Sequence, residues 1–390
     1  LIRNSATENG GVAYNAELNN CLICSNQAPS GGGVEGGFLV NCMLIGNSNS
    51  AADGTEFLLQ GTVLTNCTLI ANTGRGGATE CTLDHCTLLQ NVGTEGGGAY
   101  DSVLNNCLII SNLVRFPGFG GGAYFCELTN CILADNVATN GGGAYSGALV
   151  NCTVAANAAV IGGGIYASTA ENSVLYYNTN GDFDPGLPHA LYYCCTSILA
   201  TNGFRNITNA PLFVNLVGGD FHLQPNSPCI NSGDNAYITA TTDLDGNPRT
   251  VGGTVDIGAY EYQNPTSVIS YAYLQQYGLP TDGSVDFKDL DGTAFNVYQD
   301  WIAGLNPTNP ASVLAMVTPV TTNITTGVKV TWQSVSGISY FLQRSTNLMS
   351  QPPFTTIQNN ITGQTNTTSY TDTTATGSVP CFYRVGVIAP

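Results

Sequence analysis

Between residues 12 and 180, apolar and polar positions alternate in short bursts, and no long run falls at helical spacing. Leu128-Thr129-Asn130-Cys131-Ile132-Leu133 and Leu149-Val150-Asn151-Cys152-Thr153-Val154 are typical. Alternation with a period of two marks short strands with one face turned inward. The bursts themselves recur. An Asn-Cys pair stands at Asn20-Cys21, Asn41-Cys42, Asn66-Cys67, Asn106-Cys107, Asn130-Cys131 and Asn151-Cys152, with His85-Cys86 and Asn172-Ser173 as variants. Cys-to-Cys spacings run 21, 25, 19, 21, 24 and 21 residues. Five residues after each pair stands an Asn: Asn26, Asn47, Asn72, Asn91, Asn112, Asn136, Asn157 and Asn178. Seven residues before the Cys, or the Ser that replaces it, stand Tyr14, Tyr100, Tyr124, Tyr145 and Tyr166. Most of these tyrosines follow a glycine run, as in Gly141-Gly142-Gly143-Ala144-Tyr145.

A repeat of this length, built of two or three short strands, reads as one turn of a solenoid. Each turn pairs with the next through parallel strands about 4.8 Å apart, so about nine turns predict a rod roughly 40 Å long. Equivalent residues then stack into columns. Cys21, Cys42, Cys67, Cys86, Cys107, Cys131 and Cys152 would fill an interior column, since a thiol is small and apolar. The asparagines would form a second column at a bend, each satisfying backbone groups that turns leave open. Glycine runs would supply positive φ or close approach at a third corner. Loop length varies between the Asn and the glycine block, with four residues at 92–95 and seven at 113–119, the segment LVRFPGF. Insertions on one corner of a solenoid are where recognition residues collect. Arg115, Phe116 and Phe119 are therefore binding candidates, against the plainer reading of aromatics folded onto the neighbouring turn.

Composition narrows the function. Charged residues make up 9% of the chain and the net charge is -17. Residues 1–262 hold five Arg and no Lys. Duplex binding needs a basic stripe to displace counterions, so nucleic acid is not an expected partner, and anionic membrane surfaces are disfavoured likewise. No apolar stretch is long enough to span a bilayer. The chain opens on Leu1-Ile2-Arg3-Asn4 in the middle of a turn, as expected of a processed precursor or an incompletely identified chain.

The Gly/Asn/Cys units over residues 1 to about 180 resemble those of bacterial surface β-helix proteins, including the polymorphic outer-membrane protein group. Residues 205–262, with RNITNAPLFVN, FHLQPNSPCINSGDN and TTDLDGNPRTVGGTVDIGAYEY, resemble the closing segment of β-helix proteins with variable C-terminal anchors. These resemblances imply an extracellular or bacterial cell-surface location and a segment that ends the rod by covering its open edge. Asp243, Asp245, Arg249 and Asp256 are expected to pair within that cap. The run DLDGTAFNVYQD places Asp289, Asp291, Thr293 and Asp300 at positions 1, 3, 5 and 12 of a calcium loop. Three departures weaken the match: Thr293 holds position 5, Ala294 replaces the usual glycine at position 6, and the shorter Asp300 replaces a glutamate at position 12. Residues 311–390 alternate in short runs separated by turns and resemble a fibronectin type III domain of seven strands. Trp332, Tyr340 and Tyr383 are its core candidates, with Arg344 and Arg384 paired to carboxylates. The expected class is thus all-β: a right-handed parallel β-helix with its cap over 1–262, a linker over 263–310 and a β-sandwich over 311–390.

Ladder cysteines are expected to stay reduced, because an in-register bond between stacked turns is awkward. A disulfide is expected instead between Cys229 and either Cys194 or Cys195. Catalysis finds little footing. Asp84 with His85, and Asp135, stand alone on the rod, and the best cluster is the Asp182, Asp184 and His189 loop with Arg205 nearby. The leading expectation is a non-enzymatic structural or adhesive extracellular protein that self-associates into a filament or array. The alternative is a protein that binds or cleaves an extracellular polysaccharide through the 113–119 loop or the Asp182 loop. No cofactor is expected beyond calcium.

Overall fold

The alternating bursts form strands paired in parallel with the register the repeat demands. In a nine-stranded sheet, Leu108 pairs with Ile132, Ile132 with Thr153 and Thr153 with Val174. A sixteen-stranded sheet gathers the Ala-Tyr segments and the segments just before each Asn-Cys pair, which merge in the long strand Val34–Val40. This computed structural model describes residues 1–5, 12–28, 33–49, 58–187, 189–323, 327–375 and 380–388, with side chains left aside at 318–323. The chain divides into two compact units, Leu1–Pro265 and Thr266–Pro390.

The first unit is a parallel β-solenoid. Its interior is a stack of Leu39, Leu64, Leu83, Leu104, Leu128 and Leu149 facing Leu44, Leu69, Leu88, Ile109, Leu133 and Val154, all fully buried or nearly so. Each such side chain contributes roughly 1.5–3 kcal/mol by leaving water. Cys107, Cys131 and Cys152 stack as the repeat requires. The Cys107 N–H donates to Cys131 Sγ at 3.4 Å, and each thiol donates to the carbonyl two residues back. Where serine replaces cysteine the pattern continues, with Cys152 N–H donating to Ser173 Oγ at 3.0 Å. Burial away from any cation pushes the thiols of Cys81, Cys126 and Cys194 up to about 12.

The asparagine column is fully knitted. Asn112 donates from both its backbone N–H and its Nδ2 to Asn136 Oδ1, at 2.9 and 3.0 Å, and Asn136 does the same to Asn157. The second proton of Asn136 Nδ2 goes to Ile109 O at 2.8 Å. Each bend uses a residue in the left-handed region just before an inward side chain, as at Phe125, Asn130 and Asp135 in one turn. Positive φ is therefore spread over many residue types. The glycine runs answer mainly to crowding: a Cβ on Gly121 would lie 2.5 Å from Gly142 O.

Residues 203–207 add a last partial turn, pairing Gly203 with Leu191 and Ile207 with Cys195. The rest of the expected cap does something different: residues 228–262 lie along the outer face of the nine-stranded sheet. Asn130 Nδ2 donates to Thr242 O at 2.9 Å, Ala259 N–H to Thr153 Oγ1 at 3.0 Å, and Asn172 clasps the Asp234 backbone. Outward residues Ile132, Thr153 and Val174 are buried beneath this segment, whereas Leu22 and Met43 in the same column stay exposed.

In the second unit, the short helices α1 (Tyr271–Gln276) and α2 (Val297–Ala303) pack Ile269, Leu274, Val285, Val297 and Trp301 into a small core. Beyond them, strands Met316–Asn323, Gly327–Ser334 and Asn366–Asp372 form one antiparallel sheet, and Ser339–Ser345, Thr355–Thr362 and Phe382–Val387 another. The described residues thus hold six sandwich strands where seven were expected. Trp332 and Tyr340 meet in the core, with ring centroids 5.9 Å apart. Tyr383 is half-buried and donates to Asp372 at 2.9 Å. Arg344 pairs with Asp372 at 2.8 Å, but Arg384 departs from expectation and donates to Gln343 Oε1.

Candidate functional sites

Tyr100, Tyr124, Tyr145 and Tyr166 each follow a buried residue on a short strand, Ala99, Ala123, Ala144 or Ile165, so the rings face outward. Four consecutive turns carry one, and the rings of Tyr100, Tyr124, Tyr145 and Tyr166 meet at centroid separations of 5.4, 5.1 and 5.0 Å, the first two pairs edge to face and the last stacked. The inserted 113–119 loop adds to this stripe. Phe119 packs on Tyr145 at 4.9 Å and on Tyr124 at 6.0 Å, and Phe125 stacks on Tyr124 at 4.4 Å. At the other end the Arg75 guanidinium lies 4.2 Å from the Tyr100 ring and donates to its hydroxyl, held there by Glu95 at 2.8 Å. Of the three loop candidates, Phe119 joins the tyrosines, while Phe116, 81% exposed, and Arg115 project into solvent. The tyrosines are half-buried, so each ring offers an edge or part of a face.

The loop picked out for catalysis is built differently. Asp182 is buried and takes the next place in the asparagine column. Its Oδ1 accepts from Asn178 N–H and Nδ2, at 3.3 and 3.1 Å, and its Oδ2 accepts from Ser197 N–H and Oγ. Asp184 accepts from Gly186 N–H. His189 is buried, with Nδ1 3.1 Å from Ser168 O and its ring 5.5 Å from Phe183. The three side chains are held by separate partners and present no shared face. Arg205 lies over the Phe204 ring. Asn4 is a further column member that the repeat did not flag; it donates twice to Asn26 Oδ1 at 2.8 Å.

The cap corrects two expectations. Arg249 is buried, yet it donates to the carbonyls of Asp256 and Gly258 and makes no ion pair with Asp243 or Asp256. The carboxylates instead clamp backbone amides. Asp256 accepts from Asn231 and Tyr262, Glu261 from Val251 and Asp256, and Asp243 from Asp245, Asn247 and Glu261. Burial pushes the Asp256 carboxyl up to about 7 and Glu261 to about 9. Asp245 pairs elsewhere, with His222 at 2.8 Å; Asp220 holds the other ring nitrogen at 2.6 Å and Tyr260 stacks beneath the ring. Cys195 and Cys229 lie in thiol contact without a bond between them, and Cys194 is free as well.

In the second unit, Asp289 accepts from Gly292 N–H at 2.7 Å and Ala294 N–H at 2.9 Å, and Asp291 Oδ1 accepts from Thr293 N–H and Oγ1. Asp300 sits on α2, 1% exposed. Burial first, then the charges of Asp291 and Asp289, push its carboxyl up to about 6.

No family model matches the chain, and no curated protein does. Among solved structures, one that is similar is the crystal structure of pectate lyase Pel9A, at 14% identity and a TM-score of 0.33, covering 66% of this chain and 69% of that one. Among the described residues no helix is long and apolar enough to cross a membrane. The comparisons name no family for the chain.

Proposed function

We propose that the solenoid is a non-catalytic adhesive module of the cell exterior that holds an extended polysaccharide along its tyrosine stripe. The observation that carries this reading is the continuity of the stripe: four tyrosines in ring contact on consecutive turns, extended by Phe119 and Phe125 and closed by Arg75 on Tyr100. Pyranose rings have apolar C–H faces that pack on aromatic rings, and their hydroxyls suit the flanking Tyr OH, Arg and Glu groups. The stripe repeats once per turn over about 15 Å, so a chain of regular sugar units meets the same partner at each step. Binding and no cleavage is the expected behaviour, because both oxygens of Asp182 are engaged, Oδ1 by Asn178 at the end of the asparagine column and Oδ2 by Ser197.

A panel of soluble and insoluble polysaccharides tests this by affinity electrophoresis and pull-down. Reducing ends and unsaturated products are read in parallel. Retention by at least one glycan, lowered at least tenfold in a Tyr124→Ala/Phe119→Ala variant that keeps its circular dichroism spectrum, is expected. No retention across the panel, or retention unchanged in the variant, refutes the reading. Product release abolished by Asp182→Asn would replace it with an enzymatic one.

A second reading, self-association, is favoured by one separate observation. Outward apolar residues Leu22, Phe38, Met43 and Val63 are exposed on the early turns. A concentration-dependent increase in mass on light scattering, removed by Met43→Glu, is its expected signature.

A further inference from the structure

The segment between α1 and α2 buries negative charge without satisfying it. Gly292 and Ala294 both take the left-handed conformation, with φ of 78° and 68°, and curl residues 289–295 back on themselves. Ala294 therefore adopts the conformation that glycine usually supplies at the sixth position of a calcium loop. Asn296 then caps α2, which carries Asp300 into the interior one turn later. Both Asp300 oxygens are buried with no hydrogen-bond donor, as is Asp291 Oδ2. Val297 N–H donates to Lys288 O at 3.0 Å and Tyr298 N–H to Asp286 O at 2.9 Å, which holds the start of α2 against the stretch that leads into Asp289 and Asp291. Among the described residues, no Lys or Arg pairs with any of the three. A buried carboxylate lacking both donor and counter-charge is costly to the fold. Elsewhere in this chain buried carboxylates accept backbone amides, as Asp256 and Glu261 do.

We propose that this loop is a calcium site, with Asp289, Asp291 and Thr293 as ligands from the loop and Asp300 supplying both oxygens from α2. The donors are all oxygen, which selects a hard cation, and a two-oxygen ligand on a curled loop suits the irregular shell of calcium better than the strict octahedron of magnesium. Among the described residues, no three acidic side chains already stand at chelating distance. Binding therefore draws the loop carboxylates inward onto Asp300, joining the loop to α2. With an aspartate at the twelfth position and no carboxylate at the fifth, affinity falls in the weak range of extracellular modules, Kd on the order of 10⁻⁴–10⁻³ M.

The full chain is titrated with CaCl₂ or MgCl₂ to about 10 mM, by calorimetry and by thermal melting against a chelator control. Calcium is expected to give one saturating site and to raise the Tm of the second unit by a few degrees, with a smaller response to magnesium. Asp300→Asn is expected to lose the calcium response while melting in chelator at or above the temperature of the unaltered chain, because the unpaired charge is gone. Asp291→Asn, at a half-buried position of the loop, is expected to weaken calcium at least tenfold with the fold intact. The proposal is overturned if the unaltered chain shows neither calcium heat nor a Tm shift. It also fails if Asp300→Asn responds to calcium as the unaltered chain does, or melts well below it in chelator.

Discussion

The asparagine column of the rod and the acidic loop before α2 both bury polar side chains, and they treat them in opposite ways. In the column every amide finds acceptors and donors in the turns on either side, because each turn brings the same residue to the same place. In the loop, Asp300 is buried once, with no equivalent above or below to complete it. Repetition satisfies the column from within the chain, and the cap carboxylates find backbone amides, whereas Asp300 meets no donor at all. A column side chain is thus worth its whole set of hydrogen bonds, while the buried Asp300 carboxylate, which no donor meets, is a cost to the fold that contains it.

Asn136→Ala puts the sharpest strain on this contrast. It strands the Asn112 N–H and Nδ2 and the Ile109 carbonyl at once. A loss of roughly 3–5 kcal/mol is expected in urea denaturation of the rod. If that variant is as mild as Asp300→Asn, the contrast is lost. The cysteine column provides an intermediate step. Cys131→Ser should cost about 1 kcal/mol, since Ser173 already serves in that column, and Cys131→Leu about 1–3 kcal/mol by overpacking it. Equal costs would mean that the sulfur's polar contacts do not matter.

The smallest expected effect concerns the cap, whose carboxylates fall between the two extremes, since they are donor-satisfied but crowded. Glu261 has a folded-state pKa near 9, above its ordinary 4.5, and Asp256 near 7, above 3.8. The folded chain therefore holds protons that the unfolded chain releases. That stabilisation is complete below the ordinary values and is lost as pH rises through about 7 to 9. Melting at about pH 9 should lie a few degrees below that at about pH 6, and Glu261→Gln should flatten the slope while lowering the whole curve. A Tm that rises over this range would show the carboxylates to be ionised throughout.

What could be read from sequence follows the same division. The rod was legible because spacing and identity repeat: Cys107, Cys131 and Cys152 fall in one column as their spacing requires. The place of Asp182 in the asparagine column was hidden because it lies four residues beyond Asn178, on a shortened turn, where the repeat gives no warning that a carboxylate has taken an amide's place. Asn4 escaped notice since no Asn-Cys pair precedes it. Arg249 invited an ion-pair reading, but carboxylates that bind backbone amides leave no trace in residue types, so the cap's wiring was hidden. The tyrosines were visible one by one. That Phe119 of the inserted loop lies down among them depends on the loop's path, which no periodicity encodes.

Asp182 also gives the rod a direction. Every column amide accepts at Oδ1 from the member before it and donates one Nδ2 proton to the member after it, so the small dipoles add along the axis, and the end with positive character is where this carboxylate sits. A side chain that only accepts is a full stop. Duplicating a turn anywhere upstream would lengthen the line and leave its terminus intact. Duplicating the final turn would strand an anion mid-line with nothing to pass on. The length of this protein is free to change from the inside, and from that end it is not.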